Sequence, residues 1–258
     1  MSSSDESRRI RVLTYNIHKG FSTGNRRFVL HQIREQLRQV DVDLVFLQEI
    51  QGEHRRRKKR VVNWPDASQF EFLADQIWHH HAYGKNAIYN AGHHGNAILS
   101  KYPFERWENI NVSSMRRASR SILHGVIHLP SSRTNIHVLC IHLDFVLSER
   151  LRQIEILNAR IQEHVPADEP LILAGDFNDW GGKLETHLAD DLHLMDTFRE
   201  LHGRHARTYP AWMPFLPIDR IYYRGLKPVE CSCYKGDPWH RLSDHIPLYA
   251  NFELVNNA

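Results

Sequence analysis

The chain has 258 residues, of which 41% are hydrophobic and 24% charged, with a formal net charge of +3. This length can bury a substantial core and fits one large α/β domain better than two small ones, while the composition excludes a disordered chain. The small positive charge admits an anionic substrate without requiring nucleic acid.

Arg9 to Tyr15 alternates apolar and polar residues, which predicts a strand. Gly24 and Asn25 predict the opening of a helix that carries Val29, Ile33, Leu37 and Val40 along one face. Leu44 to Leu47 is apolar throughout, the pattern of a short buried strand. Phe70, Leu73 and Ile77 predict a second helix, with His79, His80 and His81 as its solvated end rather than a zinc site. Strands are predicted over 96–100, 122–128 and 136–141. A helix over 147–163 turns Leu151, Ile154, Leu157 and Ile161 inward. A buried strand over 171–174 stops at Gly175, and strands over 219–223, 229–234 and 246–252 complete the set. Strands outnumber helices and are interrupted irregularly, which fits two packed sheets flanked by helices better than a doubly wound sheet. A single domain over residues 8–254 is expected.

Cys140, Cys231 and Cys233 are too few and too unevenly placed for a disulfide framework, and they read as buried or idle thiols. No apolar run approaches the ~18 residues that span a bilayer. The polar segment Met1 to Arg9 lacks the apolar core of a signal peptide, so a cytoplasmic protein is expected.

Polar residues recur where the predicted strands end. Asn16 and His18 follow the first strand, and Gln48 and Glu49 the second. His142 and Asp144 follow the strand through Cys140, and Asp176, Asn178 and Asp179 the strand through Leu173. Asp219 opens a late strand, and Ser243, Asp244 and His245 precede the last. One carboxylate at a strand end is ordinary surface. Repetition around the chain, interleaved with carboxamides and histidines, predicts a shared pocket. Hard oxygen ligands such as Glu49 and Asp244 suit Mg2+, which bridges readily to phosphate oxygens, and Cys-rich spacing for a softer metal is missing.

The motifs Thr14-Tyr15-Asn16-Ile17-His18, Leu47-Gln48-Glu49, Gly95 to Ser100 (GNAILS), Ile141 to Asp144 (IHLD), Gly175 to Asn178 (GDFN), Ile218 to Ile221 (IDRI) and Ser243-Asp244-His245 follow one another over nearly the whole chain. In this order they resemble the endonuclease/exonuclease/phosphatase superfamily, the DNase I-like fold. The resemblance implies a four-layered α/β sandwich of two packed mixed β-sheets flanked by helices. It also implies a Mg2+-dependent (or Mn2+-dependent) phosphoesterase, with Glu49 as principal metal ligand, Asn16 beside it and Asp244 close by. Asp176 and Asn178 would orient the attacking water and the phosphate. His245 would be the general base held by Asp219, and His142 would donate to a phosphate oxygen or to the leaving group. Whether Asp176 or His245 takes the proton is left open. Asn96, Arg117, Arg120 and Trp180 are the expected substrate-binding residues. His18 stands where abasic-site endonucleases of the superfamily carry Asp, which disfavours a DNA-repair role. The chain also resembles a small bacterial-type branch similar to proteins of membrane-lipid and glycolipid-anchor remodelling.

Three features bear on the substrate. Glu53 to Arg60 (EHRRRKKR) reads as a solvated basic loop beside Glu49, able to steer anions, and Arg116, Arg117 and Arg120 form a second basic cluster. Tyr209 to Pro217 (YPAWMPFLP) reads as an apolar loop packed over the core; exposed at a rim, it would instead suit a lipid interface. Trp180 could stack on a base or cap the core. A lipid phosphodiester, with peripheral membrane contact, is therefore expected ahead of a nucleic acid. A binding module of the same fold is disfavoured because Glu49, Asp176, Asn178, Asp219, Asp244 and His245 are all present.

Overall fold

Strands that are apolar on both faces need a layer on each side, and the computed structural model, which describes residues 9–113, 119–129 and 135–255, supplies both. The strands are β1 (Arg9–Asn16), β2 (Leu44–His54), β3 (His80–Tyr89), β4 (Gly92–Ser100), β5 (Phe104–Asn111) and β6 (Ser121–His128), then β7 (Asn135–His142), β8 (Leu171–Asp176), β9 (Met195–Asp196), β10 (Asp219–Arg224), β11 (Leu226–Cys233) and β12 (Leu248–Leu254). The helices are α1 (Leu30–Val40), α2 (Arg55–Arg60), α3 (Gln69–Ala74), α4 (Leu147–His164), α5 (Glu185–Leu192) and α6 (Thr197–His202). Two six-stranded sheets form, in the orders β11-β12-β1-β2-β4-β3 and β5-β6-β7-β8-β10-β9. Each is mixed: β1 and β2 are parallel in the first, β7 and β8 in the second, and their other neighbours are antiparallel.

Alternation along each strand sorts the core into layers. Val12, Leu44, Phe46 and Ile98 of the first sheet meet Leu123, Val138, Ile172 and Ile221 of the second. The intervening residues face outward beneath helices. Leu13, Val45 and Leu47 pack with Ile33 and Leu37 of α1, and Leu139, Leu171 and Leu173 pack with Ile154, Leu157 and Ile161 of α4. Each such side chain contributes about 1.5–3 kcal/mol on burial, offsetting the entropy of ordering the chain. Cys140, Cys231 and Cys233 are free thiols, and burial pushes Cys140 up to about 12.

Several local expectations are corrected. α1 begins at Leu30 because Gly24 and Asn25 adopt positive φ (70° and 56°), outside the helical region. α3 carries a capping box between Ser68 and Glu71 but ends at Ala74. His80 and His81 are therefore not a helix end; they open β3 and pair with Ser100 and Leu99 of β4. β5 is an edge strand with most of its side chains in solvent, so it lacks the apolar run that marks a central strand. The basic segment is a short helix, α2, rather than a loop.

Away from the strand ends, the second sheet buries a directed chain of donors. The Arg160 Nε donates to His124 Nδ1 at 3.3 Å, and His124 Nε2 lies 2.9 Å from His137 Nδ1. His137 Nε2 in turn lies 2.6 Å from Glu169 Oε2. With Arg160 as a fixed donor, each imidazole can satisfy its neighbours only as the neutral Nε2–H form. Burial, with the neighbouring charges, pushes His124 down to about 3, and burial lowers His137 despite Glu169. A histidine with a folded value below its unfolded one stabilises the fold above about pH 6.5 and loses that contribution as pH falls. Unfolding free energy should therefore drop by about 2 kcal/mol between pH 6.5 and 5 on account of His124. Denaturant melts of wild type and His124→Gln across that range check this: the variant should show a visibly flatter pH dependence, and equal slopes would contradict it.

Candidate active site

Strand register gathers the polar residues on one edge. Asn16 of β1 lies opposite Gln48 of β2, His142 of β7 opposite Asp176 of β8, and Asp219 of β10 opposite that same Asp176. The carboxyl ends of β1, β7 and β8, the middle of β2 and the start of β10 thus meet where the two sheets face each other. Ser243, Asp244 and His245 arrive from the segment before β12, and the Ser243 Oγ donates to the Asn16 carbonyl at 2.7 Å.

Glu49 reaches the edge through a bulge. The β2–β4 register shifts between Leu47 and Ile50, and Glu49 takes a left-handed φ of 57°. A bulge re-aims one side chain, and its strained backbone persists only if its surroundings hold it. Buried Gln69 supplies that hold: its Oε1 accepts from the Gln51 N–H and its Nε2 donates to the Lys19 carbonyl, both at 2.9 Å. Lys19, in a tight loop with His18 and Gly20 also at positive φ, sets its Nζ 2.6 Å from Glu49 Oε2.

Asp176 is the centre of the arrangement. Its Oδ2 accepts from Asn16 Nδ2 at 3.1 Å and lies 3.5 Å from His142 Nε2 and 3.8 Å from His245 Nε2. Its Oδ1 accepts from the Asn178 N–H at 3.0 Å, while Asn178 Nδ2 donates to the Leu143 carbonyl. His245 Nδ1 lies 2.8 Å from Asp219 Oδ2, and that oxygen also accepts from the Thr208 hydroxyl at 2.5 Å. Asp219 therefore fixes the imidazole with Nε2 turned toward Asp176.

The electrostatics follow from this crowding. Burial and the Asp219 charge raise Asp176 to about 7. Burial alone would lower His245, but Asp219 outweighs it and pushes the imidazole up to about 10. Burial, reinforced by Arg120, drives His142 well below the usual histidine range. Burial opposes ionisation of Glu49, yet the neighbouring His142 and Lys19 hold it well below the usual carboxylate range. Since His142 is itself driven toward neutrality, the Lys19 ammonium is the cation that keeps Glu49 ionised.

A cleft of about 250 Å3 opens over this edge, lined by Asn16, Glu49, His142, Asp176, Asn178, Asp244 and His245. Asp219 stands behind it. Of the expected substrate residues, Trp180 lines the cleft with the Arg150 guanidinium 5.1 Å over its ring. Arg120 does not line it; its guanidinium sits 5.9 Å from the ring of Phe145, which does. Asn96 is fully buried, its Nδ2 donating to the Ser121 carbonyl at 3.2 Å. Arg117, with Arg116, lies outside the described residues.

The sequence pointed to none of Lys19, Thr208 and Phe145, whereas Tyr209, Leu216 and Ile218 of the lining belong to segments it had singled out. Lys19 and Phe145 adjoin recognised motifs and could have been found by adjacency; Thr208 carries no local signal. The loop after Tyr209 also corrects an expectation. Trp212, Met213 and Phe215 are not packed over the core but 65%, 54% and 52% exposed, because Tyr209 and Leu216 pair and leave the residues between them as a projecting tip.

Glu49, Asp244, Asp176 and the Asn16 carboxamide are hard oxygen donors on one cleft, which suits a divalent cation. Ligand atoms of Asp176, Asp219 and His245 also lie within 4.8 Å of one another. His142 Nε2 is buried without a hydrogen-bond partner, as is Asp219 Oδ1, so the site holds polar capacity beyond its internal bonds.

Residues 13–245 match the model of the Endonuclease/Exonuclease/phosphatase family, and the chain belongs to that family. Its enzymes are generally phosphoric ester hydrolases that typically use a divalent metal. The chain is 44% identical over 244 residues to uncharacterized protein YbhP of Escherichia coli K12, covering 95% of this chain and 96% of that one. Among solved structures it resembles an endonuclease/exonuclease/phosphatase from Beutenbergia cavernae, with a TM-score of 0.73 at 21% identity, covering 96% of this chain and 72% of that one. It also resembles D. rerio TDP2 in complex with a single-strand DNA product, with a TM-score of 0.68 at 20% identity over 95% of this chain and 99% of that one. These structural likenesses bear out the expected fold.

Because Lys19 occupies the Glu49 carboxylate, a metal ion held by Glu49 would have to compete with it. Lys19→Met should tighten Mn2+ binding roughly tenfold, the worth of a charge-assisted hydrogen bond of about 1.5 kcal/mol. Calorimetric titration without substrate measures this, and unchanged or weaker binding would contradict the competition.

Proposed function

We propose that the protein is a Mg2+-dependent phosphodiesterase acting on a lipid-type phosphodiester. The observation that carries the catalytic reading is the buried Asp219–His245–Asp176 array, aimed into a cleft that also contains Glu49 and the unpartnered Nε2 of His142. Phosphodiester hydrolysis needs a positioned water, charge compensation on the phosphoryl oxygens, and a stabilised leaving group.

Glu49, Asn16 and Asp244 would hold the Mg2+, which when bound neutralises phosphoryl charge. Asn178 and Asp176 orient the attacking water between them, and its proton passes to the Asp176–His245 pair. Asp219, itself held by Thr208, keeps His245 in place throughout. His142 donates a hydrogen bond to a phosphoryl oxygen. The lipid preference is supported by the apolar lining of Phe145, Trp180, Leu216 and Ile218 on one side of the cleft, which suits an alkyl substituent. A nuclease is the second reading. It is favoured by the six consecutive cations of α2 and by a distant structural relative that was captured with single-strand DNA product.

His245→Ala should lower turnover of bis(p-nitrophenyl) phosphate by ~10² or more with an unchanged melting temperature. Asp219→Asn should also cost heavily, because it disturbs the imidazole's orientation. A chelator should abolish activity and added Mg2+ or Mn2+ restore it. Near-wild-type rates in both variants at saturating metal, or full activity in chelator, would sink this reading.

A further inference from the structure

Exposed tryptophan and phenylalanine side chains are unevenly spread over this molecule, although aliphatic ones such as Val62 and Ile88 are exposed elsewhere. Among the described residues the exposed Trp and Phe side chains are Trp107, Phe145, Trp180, Trp212 and Phe215, and all but Trp107 belong to segments bordering the catalytic cleft. Val146 and Met213, also exposed, extend the same border. The tip that carries Trp212, Met213 and Phe215 is braced. Ala211 N–H donates to the Asp244 carbonyl at 2.7 Å, Met213 N–H to that of Pro210 at 3.1 Å, and Phe215 N–H to that of Tyr209 at 2.9 Å. Large apolar groups fixed outward in this way mark a contact surface.

Charge identifies what meets it. Trp212 shares a hollow of about 730 Å3 with Arg26, Arg27 and Arg241, the last ion-paired with Asp237 at 3.2 Å; Glu35 and Asp237 are its carboxylates. Beyond the hollow the segment continues to Phe21, over whose ring the Arg57 guanidinium of α2 sits at 4.5 Å. α2 presents Arg55, Arg56, Lys58, Lys59 and Arg60 to solvent and contains no acidic residue. One face therefore runs from a polybasic helix, through arginines, to an aromatic tip beside the cleft. Aromatic and apolar side chains flanked by cations are the composition of an anionic bilayer contact: headgroups meet the cations while Trp and Phe enter the interface. A nucleic acid would find cations at α2 but a greasy rim at the cleft, where it must present its phosphate.

We propose that the cleft-bearing face docks on an anionic lipid bilayer, with Trp212, Met213 and Phe215 inserting and α2 with Arg26 and Arg27 against the headgroups. The inference deepens the lipid reading above and rests on it for the substrate, although docking is measured without turnover. Docked in this way, the protein faces its cleft toward the layer that holds the phosphodiester.

The test is cosedimentation of the full chain with vesicles of phosphatidylcholine alone and of phosphatidylcholine mixed with phosphatidylglycerol. Wild type should bind the mixed vesicles and bind neutral ones weakly. Trp212→Ala with Met213→Ala should weaken binding to mixed vesicles roughly tenfold or more, by loss of apolar insertion. Arg56→Gln with Lys59→Gln should weaken it roughly fivefold per charge removed, on mixed vesicles only. Both double variants should keep wild-type turnover of bis(p-nitrophenyl) phosphate. Turnover without vesicle binding would overturn the docking alone; vesicle binding without turnover would overturn the catalytic reading alone. Binding that ignores both pairs of substitutions, salt-sensitive DNA binding in place of vesicle binding, or a dimer dispersed by the Trp212 variant would each overturn the docking.

Discussion

The hydrogen bond from Asn16 Nδ2 to Asp176 Oδ2 joins the two sheets at the point where the chemistry is assembled. Its partners are 160 residues apart, one at the end of β1 and the other at the end of β8. Inside a protein such a bond is electrostatically strong, and leaving either partner unpaired is costly. The contact therefore does more than orient a carboxylate. It fixes how far apart the sheet edges stand, and hence the distances from Asp176 to His142 and His245. Behind it, Gln48 Nε2 bonds Thr14 and approaches Cys140 Sγ of the opposite sheet, and Asn96 reaches the carbonyl of Ser121. These buried amides form a polar seam in an otherwise apolar interface, and the Asn16 and Asn96 bonds each span the two sheets.

Much of this was legible in the sequence because burial on both faces leaves a strong signal. Leu44–Leu47 and Leu171–Ala174 have no polar face to hide, and the helix over 147–163 repeats its apolar residues at helical spacing. β3 and β5 escaped detection because each is an edge strand, where Gly, Lys, Asn and Glu are tolerated in contact with solvent. The site motifs were legible as residues at strand ends, but their geometry was not. Nothing local says that Glu49 sits in a bulge at positive φ, that Lys19 neutralises it, or that Thr208 holds Asp219. Those facts depend on pairings across tens of residues. The loop 209–217 was misjudged for a similar reason: apolar composition alone cannot distinguish a lid over a core from a braced tip.

Charge and apolar surface meet in the cleft. Lys19 and Arg120 stand near Glu49 and His142, and Phe145, Trp180 and Leu216 line the same cleft, with the guanidinium groups of Arg120 and Arg150 near the rings of Phe145 and Trp180. A substrate entering here meets cationic compensation for its phosphate and an apolar surface for what the phosphate carries. The two cleft histidines shift in opposite directions. Burial, reinforced by Arg120, disfavours a proton on His142, while the carboxylates around His245 outweigh its burial and retain one.

The position of β12 has a consequence for how the protein comes to be. This strand lies between β1 and β11, yet it is the last of the described strands in chain order, and the segment leading into it carries Asp244 and His245. A nascent chain that has already folded β1, β2, β7 and β8 holds Glu49, His142 and Asp176 but lacks His245 and has an open gap along one side of β1. Insertion of β12 closes the sheet and installs the missing group in one movement. The Asp219–His245–Asp176 array is thus complete only when the last of the described strands has paired.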